Sequence, residues 1–115
     1  MRRDLRAAYE RSLKPLPTTG AVRLEEVIAA LSRELPEDAI IASGAGNYAG
    51  FLHRYFRYKG WPTQLAPTSG SMGYGLPAAL AAQLAYPHRT VVAVAGDGCL
   101  LMTAQELATA VQYCL

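Results

Sequence analysis

Asp97 lies in a sequence setting that suits metal or phosphate chemistry. Residues 91–95 are apolar and rich in β-branched side chains, which predicts a buried parallel strand. Gly96 and Gly98 flank the carboxylate and allow the backbone to turn sharply and approach a ligand closely. A carboxylate at the carboxyl end of a central strand lies where open α/β sheets bind ligands. Asp97 is therefore a candidate ligand for a divalent cation that accompanies an anionic cofactor. The alternative is a helix N-cap, for which Asp is a favoured residue.

The charge pattern around Asp97 favours an anionic ligand. Residues 39–96 contain no Asp or Glu, and they carry four basic side chains, Arg54, Arg57, Lys59 and Arg89. This distribution predicts a mildly positive middle segment, although each of these side chains taken singly fits an ordinary solvated position. The formal net charge of the whole chain is only +2, which is too small to indicate a nucleic-acid partner.

A glycine-rich loop at 44–49 matches the Gly-x-Gly-x-x-Ala pattern of dinucleotide-binding sites. That pattern also needs an acidic residue about 20 residues later to bind a ribose hydroxyl. Residues 64–68 are Gln-Leu-Ala-Pro-Thr and contain no acid. A Rossmann-type dinucleotide-binding oxidoreductase is therefore a disfavoured alternative.

The elements that position these loops follow one repeated order: strand, glycine loop, helix. This order indicates an α/β fold with an open, mainly parallel sheet and flanking helices. Strands at 39–43 and 90–95 are expected to be parallel neighbours, and 64–66 is a weak strand candidate. Helices are predicted at 1–14, 23–35, 48–58, 74–86 and 103–113, the last beginning with a capping box of Thr103 and Glu106.

The composition fits a single globular domain. Of the 115 residues, 51% are apolar, which is enough for a sizeable core. No stretch approaches the ~20 apolar residues of a membrane span, and the N-terminus lacks the apolar core of a signal peptide. Cys99 and Cys114 are expected to be small buried hydrophobes in a reducing compartment. We therefore expect a cytoplasmic protein without membrane or nucleic-acid partners.

Two motifs taken together resemble those of a known enzyme family. Residues 68–79 read Thr-Ser-Gly-Ser-Met-Gly-Tyr-Gly-Leu-Pro-Ala-Ala, and residues 96–107 read Gly-Asp-Gly-Cys-Leu-Leu-Met-Thr-Ala-Gln-Glu-Leu. From about residue 37 onward, the chain resembles the C-terminal diphosphate-binding (PP) domain of thiamine-diphosphate enzymes, above all acetolactate synthase and its relatives. The resemblance implies the thiamine-diphosphate-binding fold, truncated after the helix that follows the Gly-Asp-Gly strand. Residues 1–20 are predicted from their apolar spacing, two prolines and a glycine to be an N-terminal helix and Pro-rich linker, which leaves a partial cofactor-binding domain at 21–115.

The resemblance also implies a cofactor site around the Gly-Asp-Gly turn. Asp97 would bind Mg²⁺ through its carboxylate, since a hard cation prefers oxygen ligands. The backbone N–H groups of Gly98 and Cys99 would bind the diphosphate, as helix N-termini hold phosphates. The carbonyl oxygen of Gly70 would accept a hydrogen bond from the aminopyrimidine amine of the cofactor.

The remaining cofactor contacts implied by the resemblance come from the two earlier glycine loops. Ser71 and Met72 follow Gly70 in its loop, and Met72 would hold the cofactor in its bent conformation, because Met is large and adaptable. Asn47 and Tyr48 would lie near the diphosphate, at positions where acetolactate synthases usually have Gln-His. Because each loop follows a strand, all three loops are expected to converge on one edge of the sheet.

The implied function is the thiamine-diphosphate and Mg²⁺ binding part of a 2-keto-acid decarboxylase or carboligase. The cofactor supplies the carbanion stabilisation that loss of CO₂ from a 2-keto acid requires. The resemblance places the activating glutamate in a pyrimidine-binding domain of the same or another subunit, and a later Asn-Asn metal segment beyond residue 115. We therefore expect an incomplete site here, without a catalytic acid–base residue, and a full-length homo-oligomer in which FAD can also bind. The alternative from a different class is a non-catalytic interaction domain that keeps the fold.

Overall fold

The computed structural model describes residues 1–15 and 19–115 of the chain. The Pro-rich linker predicted within 1–20 includes residues 16–18, which lie outside the described part. Across the described residues, no helix is both long and apolar enough to cross a membrane. In chain order the elements are α1 (Arg2–Ser12), α2 (Leu24–Glu34), β1 (Ile40–Ser43), α3 (Asn47–Tyr55), β2 (Gln64–Leu65), α4 (Gly75–Ala85), β3 (Val91–Val94), α5 (Asp97–Leu101) and α6 (Glu106–Gln112).

The three strands form one parallel sheet in the order β2-β1-β3. Ile41 of β1 lies opposite both Gln64 of β2 and Val92 of β3. The predicted α/β fold with a parallel sheet is therefore confirmed. The strand before Asp97 was predicted to be buried and central. Within the described residues β3 instead pairs with β1 alone, its Ala93 is exposed and its other residues are partly buried, so it lies at the edge of the three-stranded sheet.

Helices cover both faces of the sheet, because successive side chains of a strand point to opposite faces. On one face, Ile41 packs with Ile28 of α2 and with Leu52 and Tyr55 of α3. On the other face, α4 contacts β1 and β3, and most of its buried residues are small. The main apolar core therefore lies between the sheet and the pair α2 and α3, while α4 approaches the backbone of the sheet closely.

Arg89 joins the amino-terminal ends of the strands. Its Nε donates to the carbonyl oxygen of Asp38 at 2.7 Å, and its Nη2 donates to the carbonyl oxygen of Pro62 at 3.3 Å. Lys59 Nζ donates to a carbonyl oxygen at the C-terminal end of α2 at 3.1 Å. These cations therefore lie at the end of the sheet opposite to Asp97. The expectation of a positive segment suited to an anion fails for Arg89 and Lys59, because both bind backbone carbonyls away from the glycine loops.

Helix α3 ends at Tyr55 rather than at residue 58 as predicted. Phe56 is extended, with φ −78° and ψ 128°. The N–H of Arg57 then donates to Ser32 Oγ at 2.7 Å, and its carbonyl oxygen accepts from the same hydroxyl at 3.3 Å. A tertiary contact with α2 thus replaces the last turn of the helix, and side-chain periodicity carries no signal for such a contact.

The predicted start of the last helix at residue 103 is wrong. The helix α6 begins at Glu106, and residues 102–105 separate it from α5. The predicted capping box is also wrong. Thr103 Oγ1 donates to the carbonyl oxygen of Gly73 at 3.0 Å, so this hydroxyl serves a long-range contact rather than a local cap. Gln105 occupies the N-cap position of α6 and makes no side-chain capping hydrogen bond.

The two cysteines have different environments. Both thiols are free; Cys99 is buried and Cys114 is exposed. The expectation that both are buried hydrophobes is therefore correct for Cys99 and wrong for Cys114, which follows the last helix at the surface.

Leu52 provides a test of the core. Its side chain is 0% exposed, so Leu52→Ala is expected to lower the free energy of unfolding by about 2–5 kcal/mol, through lost apolar burial and the cavity left behind. Urea unfolding measures the change. Leu101, which is 74% exposed, gives the matched control, and Leu101→Ala should change the stability by less than about 0.5 kcal/mol. Equal effects of the two substitutions would contradict this packing.

Candidate functional site

Three glycine loops meet at the carboxyl-terminal ends of the three strands. Because the strands are parallel, the segments that follow β1, β2 and β3 all leave the sheet at the same edge. A Cβ added to Gly75 would lie 2.7 Å from the backbone nitrogen of Gly44, so the second loop touches the first. A Cβ added to Gly96 would lie 3.0 Å from the ring of Tyr48, so the third loop touches the first as well.

Asp97 is the first residue of α5, and Gly96 occupies the N-cap position. The N-cap alternative for Asp97 is therefore wrong. Its side chain is exposed, and within the described residues its carboxylate takes part in no hydrogen bond or ion pair. The amide of Leu100 donates to the carbonyl oxygen of Gly96 at 2.8 Å, which fixes the turn below the carboxylate. Asp97 thus presents an unpaired carboxylate on a well-formed glycine turn.

The loop at 70–75 needs glycine for its backbone shape. Gly70 has φ +68° and Gly73 has φ +83°, both in the left-handed region that side chains disfavour. Ser69 Oγ and Ser71 Oγ lie 2.7 Å apart and share a hydrogen bond across the turn. These two features hold Ser71 at the loop surface, next to the carbonyl of Gly70.

Met72 connects this loop to the Gly-Asp-Gly turn. Its side chain is 47% exposed, and its Cε would lie 3.6 Å from a Cβ added to Gly98. Half of the side chain therefore rests on the turn, and the other half is accessible to a ligand. A methionine in the core would be buried, so the accessible side chain is consistent with a ligand contact.

The side chain of Cys99 lies beneath the loops rather than at their surface. It is 3% exposed, and its sulfur accepts a hydrogen bond from the N–H of Gly73 at 3.1 Å. Burial opposes ionisation of the thiol, but the Tyr48 hydroxyl beside it and the neighbouring backbone N–H groups outweigh burial, so the pKa of Cys99 is lowered. The Gly-Asp-Gly motif predicted a role only for the backbone N–H of Cys99, and no sequence signal marks the contact of the sulfur with Gly73.

Tyr48 and Asn47 begin α3 and differ in exposure. Burial, followed by the neighbouring Cys99, raises the pKa of the Tyr48 phenol to about 12. The phenol oxygen is buried and has no hydrogen-bond partner of good geometry, although it lies near the sulfur. The ring also fills the space that side chains on Gly46 and Gly96 would occupy. Asn47 is exposed and borders a groove along α3 that Arg54 also lines.

A divalent cation at Asp97 would depend on oxygen atoms beyond this carboxylate. Within the described residues there is no group of three or more His, Cys, Asp or Glu side chains that could hold a metal ion. Mg²⁺ takes near-octahedral oxygen coordination and is bound by one or two carboxylates together with phosphate oxygens and water. The unpaired carboxylate of Asp97 fits a cation that is shared with an anionic cofactor.

Comparisons with known proteins agree on one family. Residues 44–115 match the model of the thiamine pyrophosphate enzyme, C-terminal TPP binding domain. The acetolactate synthase large subunit of Parasynechococcus marenigrum (strain WH8102) is 40% identical over 99 residues, which are 84% of this chain and 16% of that protein. The acetolactate synthase large subunit of Haemophilus influenzae is 37% identical over 99 residues, 84% of this chain and 17% of that protein. The structure of a thiamine diphosphate-dependent 4-hydroxybenzoylformate decarboxylase from Rhodococcus jostii RHA1 matches with a TM-score of 0.78 and 29% identity, over 88% of this chain and 19% of that chain.

The chain therefore belongs to the thiamine pyrophosphate (thiamine diphosphate) enzyme family, as a C-terminal cofactor-binding domain most similar to that of acetolactate synthases. The resemblance stated from the two glycine motifs is confirmed. The dinucleotide-binding alternative loses its basis, because the loop at 44–49 lies within the matched domain. The chain spans 16% and 17% of the lengths of the two acetolactate synthase subunits compared here.

Gly75 and Gly50 provide a matched test of the loop contact. Gly75→Ala is expected to lower the free energy of unfolding by more than about 1 kcal/mol, because its Cβ would lie 2.7 Å from the backbone nitrogen of Gly44. Gly50 lies within α3 with nothing near its added Cβ, so Gly50→Ala should stabilise the chain by about 0.5–1 kcal/mol. Urea unfolding compares the two, and stabilisation by both would refute the close approach of these loops.

Proposed function

We propose that this domain binds thiamine diphosphate together with Mg²⁺, and that Asp97 is the metal ligand. The observation that carries the proposal is the exposed, unpaired carboxylate of Asp97 on the glycine turn where the three loops meet. The carboxylate of Asp97 would hold the divalent cation, and the cation would supply positive charge that favours binding of the diphosphate. The positions of the loops at one sheet edge support this proposal, as does the family of the chain.

The residues around Asp97 have distinct proposed roles. The backbone N–H groups of Gly98 and Cys99, in the first turn of α5, would donate to the diphosphate. The carbonyl oxygen of Gly70 would accept from the aminopyrimidine amine. Met72 would support the cofactor with the accessible half of its side chain, beside Gly98.

The three remaining proposed contacts would come from Ser71, Asn47 and Tyr48. Ser71 lies at the surface of the second loop, where its hydroxyl is bonded to Ser69 and is close to Gly70. Asn47 is exposed at the start of α3, where its side chain would contact the ligand. Tyr48 would contribute through its ring, which packs between the first and third loops, rather than through its buried hydroxyl.

We further propose that the whole enzyme is an acetolactate synthase-like decarboxylase or carboligase acting on a 2-keto acid. The bound cofactor supplies the carbanion stabilisation for this chemistry. Residues of this domain would bind and orient the cofactor, and none is assigned as a general acid or base. The pyrimidine-binding domain of the same or another subunit would provide the activating carboxylate, in a cytoplasmic homo-oligomer to which FAD can also bind.

Substitution of Asp97 tests the proposed metal ligand. In calorimetric titrations of the chain with thiamine diphosphate and Mg²⁺, we expect weak binding that Asp97→Asn abolishes, because the amide removes the charge that pairs with the cation. The matched control is Glu37→Gln, an exposed carboxylate before β1 at the other end of the sheet, which should leave binding unchanged. Equal binding by wild type and Asp97→Asn would refute the assignment.

An activity assay tests the division of labour between this chain and the rest of the enzyme. We expect no decarboxylation of pyruvate by the chain alone, since general acid–base help is worth about 10²–10⁴-fold and no residue here is assigned to supply it. Measurable turnover by the purified chain that depends on thiamine diphosphate would show that its own residues suffice.

A further inference from the structure

The sulfur of Cys99 lies between the glycine loops of the candidate site. It accepts a hydrogen bond from the N–H of Gly73 in the second loop at 3.1 Å. In the first loop, a side chain on Gly44 would overlap the same sulfur and would lie 2.6 Å from the Tyr48 hydroxyl. Cys99 itself belongs to α5, two residues after Asp97. One buried side chain therefore touches both other loops from the segment that carries the proposed metal ligand.

Both polar groups of Gly73 are bound by the segment that contains α5 and the residues after it. The N–H of Gly73 donates to Cys99 Sγ, and the carbonyl oxygen of Gly73 accepts from Thr103 Oγ1 at 3.0 Å. Gly73 is buried and has φ +83°, so this residue has little freedom to move. Met72 immediately precedes it and extends over Gly98. The position of Met72 relative to the Gly-Asp-Gly turn is thus set through Gly73.

We propose that Cys99 is a positioning residue of the cofactor site, whose sulfur acts through Gly73 to hold Met72 over Gly98. The sulfur itself does not contact the cofactor, since the side chain is 3% exposed and directed beneath the loops. This inference rests on the proposed function, because the loop that Cys99 holds is part of the proposed thiamine-diphosphate site.

The chemistry of the contact defines the variants that test it. Cys99→Ala removes the acceptor and leaves the N–H of Gly73 buried without a partner, which is unfavourable. Cys99→Ser keeps an acceptor at nearly the same place, with a shorter bond to Cβ. Cys114 provides the control, because it is the exposed cysteine of the same chain and Cys114→Ala removes an equivalent side chain away from the site.

Amide hydrogen exchange of Gly73 gives a readout that does not need the cofactor. Cys99→Ala is expected to accelerate exchange at Gly73 about tenfold relative to the core amide of Leu52, because the hydrogen bond that protects Gly73 is lost. Cys99→Ser should restore most of the protection, and Cys114→Ala should have no effect. If Cys99→Ala does not fold, Cys99→Val takes its place, because it also lacks a hydrogen-bond acceptor for Gly73 but fills more of the space. The same acceleration, confined to the 70–75 loop, is then expected.

Calorimetric titration with thiamine diphosphate and Mg²⁺ gives the second readout. Cys99→Ala is expected to weaken binding about tenfold, and Cys99→Ser should bind within about threefold of wild type. Unchanged exchange at Gly73 in a folded variant without an acceptor, Cys99→Ala or Cys99→Val, would overturn the inference. Faster exchange with unchanged affinity would also overturn it, because the loop would then move without consequence for the site. A different outcome is that wild type binds no thiamine diphosphate while Cys99→Ala still accelerates amide exchange at Gly73. This outcome would refute the proposed function, and the cofactor role of Cys99 with it.

Discussion

The parallel pairing of β1 with both of its neighbours is the constraint on which the rest of the structure depends. Because β2 and β3 run in the same direction as β1, the three following loops leave the sheet at one edge. An antiparallel partner would send its loop to the opposite end. The pairing also sets the two faces of β1, so that Ile41 meets α2 and α3 while α4 lies against the other face. The core and the candidate site therefore follow from the same set of backbone hydrogen bonds.

The two ends of the sheet are stabilised by different interactions. At the amino end, Arg89 binds backbone carbonyls that precede β1 and β2, and so uses its charge within the fold. At the carboxyl end, the loops are joined by close glycine contacts and by the hydrogen bond from Gly73 to Cys99, none of which uses a charged group. Asp97 is then left as an unpaired carboxylate. The negative charge of Asp97 is therefore available for a cation that accompanies a phosphate ligand.

The features predicted from sequence were those that short segments encode. The apolar runs before Gly44 and Gly96 indicated the parallel strands, and the paired glycine motifs indicated the family. The errors arose where distant segments compete for a polar group. Ser32 binds the backbone of Arg57 and ends α3 early, and Thr103 binds Gly73 rather than capping a helix. The hydrogen bond of the buried Cys99 sulfur was missed for the same reason, because its partner Gly73 is 26 residues away in sequence.

In the proposed function, a divalent cation and a diphosphate bind together at the carboxyl ends of these strands. Mn²⁺ accepts the same oxygen ligands as Mg²⁺ and broadens the NMR signals of nearby amides, so it locates the metal directly. With thiamine diphosphate present, the account predicts broadening confined to amides of the loops at 44–48, 70–73 and 96–99, and its loss in Asp97→Asn. Broadening centred on Asp38 and Arg89 at the opposite end of the sheet, or unchanged in Asp97→Asn, would contradict it.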